Sequence, residues 1–390
     1  MKLNLLLYSY DWLPLVGGVQ SITADLAEGL SEWSSAHKDD VVSVTLITQT
    51  PGLGMDDSKL PFAVIRRPRL AELIHQVWSA DVVHLANPAL MPLALAWLLR
   101  KPTVIEHHGY QSICPNGILL YGPDTSICPG HFMAGRYGKC YKCNSARMGR
   151  ERTWLNIILN FPRRWLCKRA TVNVAVSNHV ARRLSLPRTR TIFHGIRITS
   201  PADEPSLNED PPRIGYVGRL VTEKGIPVLL EAAKKLRDGG LSFHLALIGD
   251  GAERDNLERM AERLGLQDRT TFTGYLSGRE FEQAVRALSV VVMPSQWEET
   301  AGLAVMEKMM RGGLVVVADI GGLSEVVGEA GLKFAPGDVE TLYSQLRMVL
   351  EKPSIVSTIR SAARVRAVKN FNRDSMIQNH IALYQEVFTH

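Results

Sequence analysis

Long hydrophobic runs are missing from this 390-residue chain. None reaches the roughly 18 to 20 consecutive apolar residues that a membrane-spanning helix requires. The longest candidate, residues 89–99, is short and contains Pro92, so a buried helix is expected there. A small-residue cleavage site is also missing after residues 2–8, which read as a first strand and not as a leader. These absences predict a cytoplasmic protein. Acidic residues nearly vanish between Arg136 and Arg169, where Glu151 stands alone against Lys139, Lys142, Arg147, Arg150, Arg152 and further cations. The net charge is +6 and the pI is near 9.0. An anionic partner is implied, and nucleic acid, anionic lipid and a phosphorylated metabolite all fit.

What is present is length and alternation. A chain of 390 residues, 45% hydrophobic, exceeds one ordinary core and predicts two domains. Strand patterns fall at residues 3–8, 41–48, 82–85, 103–106, 172–176 and 191–193, with helix patterns between most of them. Asn87 is placed to cap a helix over 88–99, and Ser177 to open a short one. Gly17-Gly18 separates the first strand from the first helix, where backbone can approach an anion or simply turn tightly. Residues 199–212 are rich in proline and acid and read as a linker. The pattern then restarts with strands at 214–217, 243–248, 290–292 and 315–317. Alternation of this kind implies parallel sheets covered by helices, in two α/β domains with a cleft between them.

The densest chemistry follows the strand at 290–292. Pro294-Ser295 turns the chain into a helix pattern that ends at Gly312-Gly313, and it carries Glu299 and Glu307. Eight helical positions would set the two carboxylates about 12 Å apart on one side, suiting a long, hydroxyl-rich ligand. Arg219 and Lys224 lie on one glycine-flanked loop after the strand at 214–217. They read as a diphosphate clamp or as two solvated cations.

Gly218-Arg219-Leu220-x-x-x-Lys224-Gly225, Gly249-Asp250-Gly251, and Pro294-Ser295 leading to Glu299-x7-Glu307 and Gly312 resemble the donor-binding half of glycosyltransferase family 4. These are retaining enzymes of the group 1 type with the GT-B fold. The resemblance is densest from Arg213 to about Val327. It extends to the first half through Gly17-Gly18-Val19, His108 and Val176-Ser177-Asn178. It implies an α/β chain of two Rossmann-like domains whose parallel sheets face an interdomain cleft, with a cysteine-bearing insertion in the first. The expected division is an acceptor-side domain over 1–198 with the insertion at about 110–150, the linker over 199–212, a nucleotide-sugar domain over 213–370, and a C-terminal helix over 371–390 that crosses back.

The resemblance also assigns roles. Arg219 and Lys224 would hold the diphosphate of a UDP-, GDP- or ADP-sugar and stabilise the leaving group. Glu299 would bind donor-sugar hydroxyls, and Glu307 the ribose. Gly302 and Leu303 would offer backbone amides, Gly17 and Gly18 would close on the phosphates, and His108 would lie near the donor sugar. The reaction implied is hexosyl transfer to a hydroxyl acceptor, in cell-surface polysaccharide, glycolipid or glycosylated-metabolite synthesis, with no catalytic metal. Departures from the family pattern occur at Gly109 after the histidine, at His194-Gly195 with Arg197, at Ala301, and at Lys308. A nucleotide-sugar epimerase of similar architecture is the alternative enzyme.

Four of the five cysteines, Cys114, Cys128, Cys140 and Cys143, lie in the insertion, and the last two have Cys-x-x-Cys spacing. In a reducing compartment this predicts a structural zinc site ahead of an iron–sulfur cluster or unligated thiols. Cys167 reads as a buried thiol. Residues 150–165 mix cations with Trp154, Leu155, Ile158, Phe161 and Trp165. This segment fits either peripheral docking on an anionic membrane, in keeping with a lipid-linked acceptor, or a helix buried on the first domain. A zinc-containing nucleic-acid-binding protein would explain this region and nothing after it, so no nucleic-acid partner is expected.

Overall fold

The computed structural model describes residues 2–15, 17–37, 41–198 and 211–389. Most of the expected linker, 199–210, lies outside them. The chain divides into two units, one of Met1–Leu119, Cys128–Gly195 and Arg373–His390, the other of Leu120–Ile127 and Ile196–Asn372.

The first unit is a parallel sheet in the order β3-β2-β1-β4-β5-β8-β9. Its strands are β1 (Lys2–Ser9), β2 (Val41–Thr48), β3 (Ala63–Arg66), β4 (Val82–Ala86), β5 (Thr103–His107), β8 (Val172–Ala175) and β9 (Thr189–Thr191). The short antiparallel pair β6 (Leu120–Tyr121) and β7 (Ser126–Ile127) is assigned to the other unit. Helices α1 (Gly18–Ala36), α2 (Leu70–Ser79), α3 (Leu90–Leu98), α4 (Tyr137–Met148), α5 (Arg150–Cys167) and α6 (Asn178–Leu184) complete the unit, with the C-terminal helix described below. Near-continuous apolar runs such as Leu5-Leu6-Leu7 suit strands covered on both faces, and those side chains are buried.

The second unit repeats the plan. Strands β10 (Arg213–Val217), β11 (His244–Ile248), β12 (Thr270–Gly274), β13 (Val290–Met293), β14 (Leu314–Ala318) and β15 (Leu332–Phe334) lie parallel in the order β12-β11-β10-β13-β14-β15. Its helices are α7 (Ile226–Asp238), α8 (Arg254–Arg263), α9 (Gly278–Arg286), α10 (Leu303–Met310), α11 (Gly321–Val327), α12 (Val339–Glu351) and α13 (Pro353–Asn370). The last helix, α14 (Arg373–Thr389), belongs to the first unit. In both sheets the strand order reverses beside the first strand, between β1 and β4 and between β10 and β13. In doubly wound sheets ligands bind beyond the carboxyl ends of the strands at such points.

The expected α/β class and paired parallel sheets are therefore present, and several local expectations are corrected. The last strand of the first sheet ends at Thr191 and does not cover 191–193. Strands β3, β12 and β15 escaped the pattern reading. Asn87 does not cap α3, whose N-cap is Ala89. Asn87 instead has a positive φ of 115°, and its Oδ1 accepts the His108 amide at 3.3 Å. Helix α3 is only partly buried, because Met91, Trp97 and Leu98 are exposed while Pro92, Leu93 and Ala96 are covered. Helix α10 begins at Leu303, after Gly302 turns the chain at φ 107°. Glu299 thus lies on a loop, and the 12 Å helical spacing to Glu307 does not apply.

Candidate functional site

In the second unit, loops at the carboxyl ends of β10, β11, β13 and β14 press against one another through glycines. A Cβ on Gly225 (φ 65°) would come within 2.1 Å of the Pro294 carbonyl oxygen, and one on Gly249 (φ 135°) within 2.0 Å of that of Gly218. Gly322 donates its amide to Glu299 O at 2.6 Å, and Gln296 donates to Glu223 O at 3.0 Å. No side chain fits these approaches, so the backbone is held tightly around the acidic loop.

That packing brings together residues distant in sequence. Lys224 Nζ donates to Glu299 Oε1 at 2.5 Å, and Ser295 Oγ donates to the same oxygen at 2.7 Å. The ammonium also lies 5.6 Å from the centroid of the Trp297 ring. Glu299 is 7% exposed and Ser295 fully buried, so the pair acts in a screened, low-dielectric setting. Both contacts fall on Oε1, which turns the ammonium and the carboxylate into one polar unit. Arg219 is exposed on the same loop as Lys224, and its carbonyl accepts from the buried Tyr216 hydroxyl at 2.8 Å. Burial first, and then the nearby Glu299 charge, hold the Tyr216 phenol well above its ordinary pKa, so it remains a donor.

Gly302 and Leu303 form the N-terminus of α10, whose cap has no side-chain hydrogen bond. The amides of Val305 and Met306 turn back to Gly302 O at 3.0 and 3.1 Å. The first amides of the helix therefore face outward from it, as helix geometry requires. Glu307 is half-buried on the same helix. Lys308 is fully buried, with Nζ donating to Leu288 O at 2.6 Å, so this family departure serves packing.

In the first unit, Gly17 caps α1 at φ −178°, an extended conformation open to any residue, with Gly18 as the first helical position. No side chain caps the helix and its first turn holds no acid. The end thus keeps the polarity that favours an anion. A cavity of about 260 Å³ lies beyond β1 and β4, lined by Asp11, Gln20, Asn87, Gln111, Asn116 and Arg163 among others.

His108 lies in a cluster that the sequence reading left unassembled. Glu106 Oε2 is 3.2 Å from His84 Nε2, 3.7 Å from His108 Nε2 and 3.8 Å from His380 Nε2. His108 Nδ1 meets His194 Nε2 at 3.0 Å, with the rings stacked 5.1 Å apart. His194, where the family commonly has asparagine, therefore partners His108. Burial drives the Glu106 carboxyl upward, but His108, His84 and His380 outweigh it and leave it well below the ordinary range. Burial lowers His108 and His380, and takes His194 down to about 3. His107 points elsewhere: Nε2 meets Asn173 Oδ1 at 2.9 Å, and burial lowers its pKa to about 4. His107 and His108 thus have different partners, as side chains adjacent along extended backbone point to opposite sides. The available signal was a histidine and a glutamate inside fully buried strands; nothing marked His380.

The cysteines of the insertion are gathered. The Cys114 thiol donates to Asn116 Oδ1 at 2.9 Å, and Asn116 Nδ2 donates to Cys143 Sγ at 3.8 Å. Burial, followed by Cys114, Cys128 and Cys143, pushes the Cys140 thiol up to about 12. Cys140 packs with Phe132 and Ile157. A cysteine donor set suits a soft or borderline metal, but no three of these sulfurs lie within 4.8 Å of one another. Cys167 is a buried thiol raised to about 12, again mainly by burial.

Comparison with known proteins gives these sites a family. Residues 16–199 match the model of "Glycosyltransferase Family 4", and residues 200–366 that of "Glycosyl transferases group 1". A 2-deoxystreptamine glucosyltransferase of Streptomyces kanamyceticus is 37% identical over 176 residues, 45% of this chain and 44% of the relative. The sulfoquinovosyl transferase SQD2 of Arabidopsis thaliana is 30% identical over 323 residues, 80% of this chain and 58% of the relative. The matches thus span about half the length of these curated relatives. The crystal structure of Anabaena HepE with UDP and glucose superposes at a TM-score of 0.73 with 19% identity, covering 98% of this chain and 100% of that one. The two family models run without a break from residue 16 to residue 366, and the chain belongs to the group 1, family 4 glycosyltransferases, built on the GT-B fold.

Proposed function

We propose that this protein transfers a hexosyl group, with retention at the anomeric carbon, from a nucleotide-diphosphate sugar to a hydroxyl acceptor. The observation that carries the reading is the Lys224–Glu299–Ser295 unit at the carboxyl ends of β10 and β13. Without donor, the ammonium neutralises Glu299. A diphosphate offers it a competing anion, and its transfer to phosphate releases a carboxylate, still oriented by Ser295, for the hydroxyls of the sugar. Arg219, exposed on the same loop, supplies a second cation, and charge on the leaving diphosphate is stabilised where it develops. Glu307 receives the ribose hydroxyls, while Gly302 and Leu303 offer amides at a helix N-terminus. A phosphate oxygen of the leaving group takes the acceptor proton, so no strong side-chain base is required.

Anabaena HepE was crystallised with UDP, with UDP and glucose, and with UDP-glucose, which supports UDP-sugars as the first donors to test. Thermal-shift screening against UDP-, GDP- and ADP-sugars identifies the donor, because ligand binding raises stability by mass action. Product analysis by NMR then gives the anomeric configuration. Hydrolysis or epimerisation of the donor with no transfer to any acceptor would overturn the reading.

The acceptor class is proposed from the surface. On α5, Trp154, Leu155, Ile158, Phe161 and Trp165 are exposed, while Ile157, Asn160 and Leu166 are buried. Exposed Met91, Trp97 and Leu98 lie on α3, and Trp97 contacts Trp165 with ring centroids 5.0 Å apart. Arg169 lies over Trp165 at 3.7 Å. An apolar stripe bordered by cations suits an anionic bilayer surface and hence a lipid-linked acceptor in glycolipid or polysaccharide synthesis. No described helix is long and apolar enough to cross a membrane. The four insertion cysteines are proposed to take a structural zinc ion.

A further inference from the structure

We propose that His84, Glu106 and His380 form a binding site for one divalent transition-metal ion of the zinc class, separate from the cysteines. One ligand atom from each residue lies within 4.8 Å of the others, and all three residues are buried.

The hydrogen bonds around the cluster fix the argument. His380 Nδ1 lies 2.9 Å from Met376 O. A carbonyl oxygen only accepts, so Nδ1 carries the hydrogen, and in the neutral ring Nε2 carries a lone pair. That lone pair is 3.8 Å from Glu106 Oε2 and has no hydrogen-bond partner among the described residues. His84 Nε2, also buried without a hydrogen-bond partner among them, is 3.2 Å from the same oxygen. Where the Tyr384 hydroxyl accepts from His84 Nδ1, His84 Nε2 carries a second lone pair, and a cation joins both to the carboxylate. Ligands held about 2.0 Å from a tetrahedral zinc stand roughly 3.3 Å apart, and the two separations from Glu106 bracket that spacing. Two histidines and one glutamate are a familiar zinc donor set.

The second layer agrees. His84 Nδ1 meets the Tyr384 hydroxyl at 2.5 Å and His380 Nδ1 its own helix carbonyl, so both rings are fixed through the nitrogen that would not bind metal. His108 and His194 share Glu106 in a second such group, but they satisfy one another at 3.0 Å, which favours the first group. His380 and Tyr384 lie on α14, His84 on β4 and Glu106 on β5. The ion would therefore fasten the C-terminal helix to the first sheet.

The test uses the full chain, expressed in zinc-supplemented medium and purified in buffers without chelator. X-ray absorption at the zinc edge of the unaltered protein is expected to show nitrogen and oxygen scatterers besides any sulfur. Elemental analysis of Cys140→Ser/Cys143→Ser protein is expected to retain about one equivalent of zinc. Adding His84→Asn and His380→Asn to that variant is expected to remove it. Cobalt-substituted Cys140→Ser/Cys143→Ser protein should show visible d–d bands without sulfur charge-transfer absorption. Metal-free unaltered protein, or a shell of sulfur alone, overturns the site even where no variant folds. So does a zinc content unchanged by the two histidine substitutions.

Discussion

Lys224 Nζ lies 2.5 Å from Glu299 Oε1, 75 positions away in the chain, and Ser295 Oγ holds the same oxygen at 2.7 Å. The side chains of Lys224 and Glu299 are 14% and 9% exposed. At that burial, removing one partner strands a charge, at a cost of about 3 kcal/mol or more. Lys224→Ala is therefore expected to lower stability in urea and to reduce kcat/KM by roughly 10²- to 10³-fold, the usual scale for a lost charge-stabilising group. The double variant Lys224→Met/Glu299→Gln removes both charges. It is expected to regain much of the stability and none of the activity. A double variant that turns over normally would remove both residues from the mechanism.

Arg219 separates from Lys224 by exposure. On the proposed function its guanidinium serves donor binding, and its exposure leaves it little part in the folded state, so Arg219→Ala is expected to leave the urea midpoint unchanged. The donor KM should rise roughly tenfold or more, the scale of one charge-assisted hydrogen bond. Initial rates against donor concentration check this, and an unchanged KM would confine Arg219 to the solvated surface.

Acid should weaken the first unit before its carboxylates titrate. His107 and His194 are held by burial at about 4 and about 3, against an ordinary 6.5. Below pH 6.5 the unfolded chain binds protons at these positions that the folded chain refuses. Stability is therefore expected to fall with pH by about 1.4 kcal/mol per pH unit for each such histidine. The loss continues towards the folded values. Glu106, also depressed, adds loss in the same direction below its ordinary 4.5. Urea midpoints at pH 7.5 and 5.5 measure the slope, and His107→Asn is expected to flatten it.

The sequence revealed the frame because parallel strands buried on both faces leave unbroken apolar runs, as at Val290-Val291-Val292. Strand β3, with no fully buried residue, and β12, with three Thr in five residues, left no such run. The glycine loops and Glu299 were visible as a motif. The Lys224–Glu299 contact was not, since sequence spacing gives no distance between loops of different strands. The helical estimate for Glu299 and Glu307 failed at Gly302, whose left-handed backbone starts the helix four residues late. Glu106 and its histidines stayed hidden because β4, β5, the segment after β9 and α14 meet only in the folded chain.

Membrane docking through α5 is expected to be separable from folding. Trp154, Ile158 and Trp165 are 48%, 59% and 40% exposed, so replacing them with serine removes little core. The triple variant should fold with an unchanged urea midpoint and lose flotation with anionic vesicles at low salt. Unaltered protein should float with anionic vesicles and be released by salt, since the bordering cations are screened within about 10 Å at 0.1 M. Equal flotation of the two proteins would place the contact elsewhere.

The cysteine segment makes the last prediction. With its thiol pushed up to about 12 by burial and by its neighbouring cysteines, Cys140 holds a protonated, unreactive sulfur in the metal-free chain. Zinc reverses that balance, because it binds thiolate and releases the protons. Protein purified without chelator is therefore expected to carry zinc at these sulfurs and to resist alkylation at pH 8 of Cys143, the insertion cysteine that is not buried. Chelation should lower the melting temperature by several degrees, because Cys140 packs in the small core of Phe132 and Ile157. Cys140→Ser/Cys143→Ser should lose the sulfur ligation seen at the zinc edge. A chain that folds, melts and reacts identically with and without chelator would show that the four thiols hold no metal.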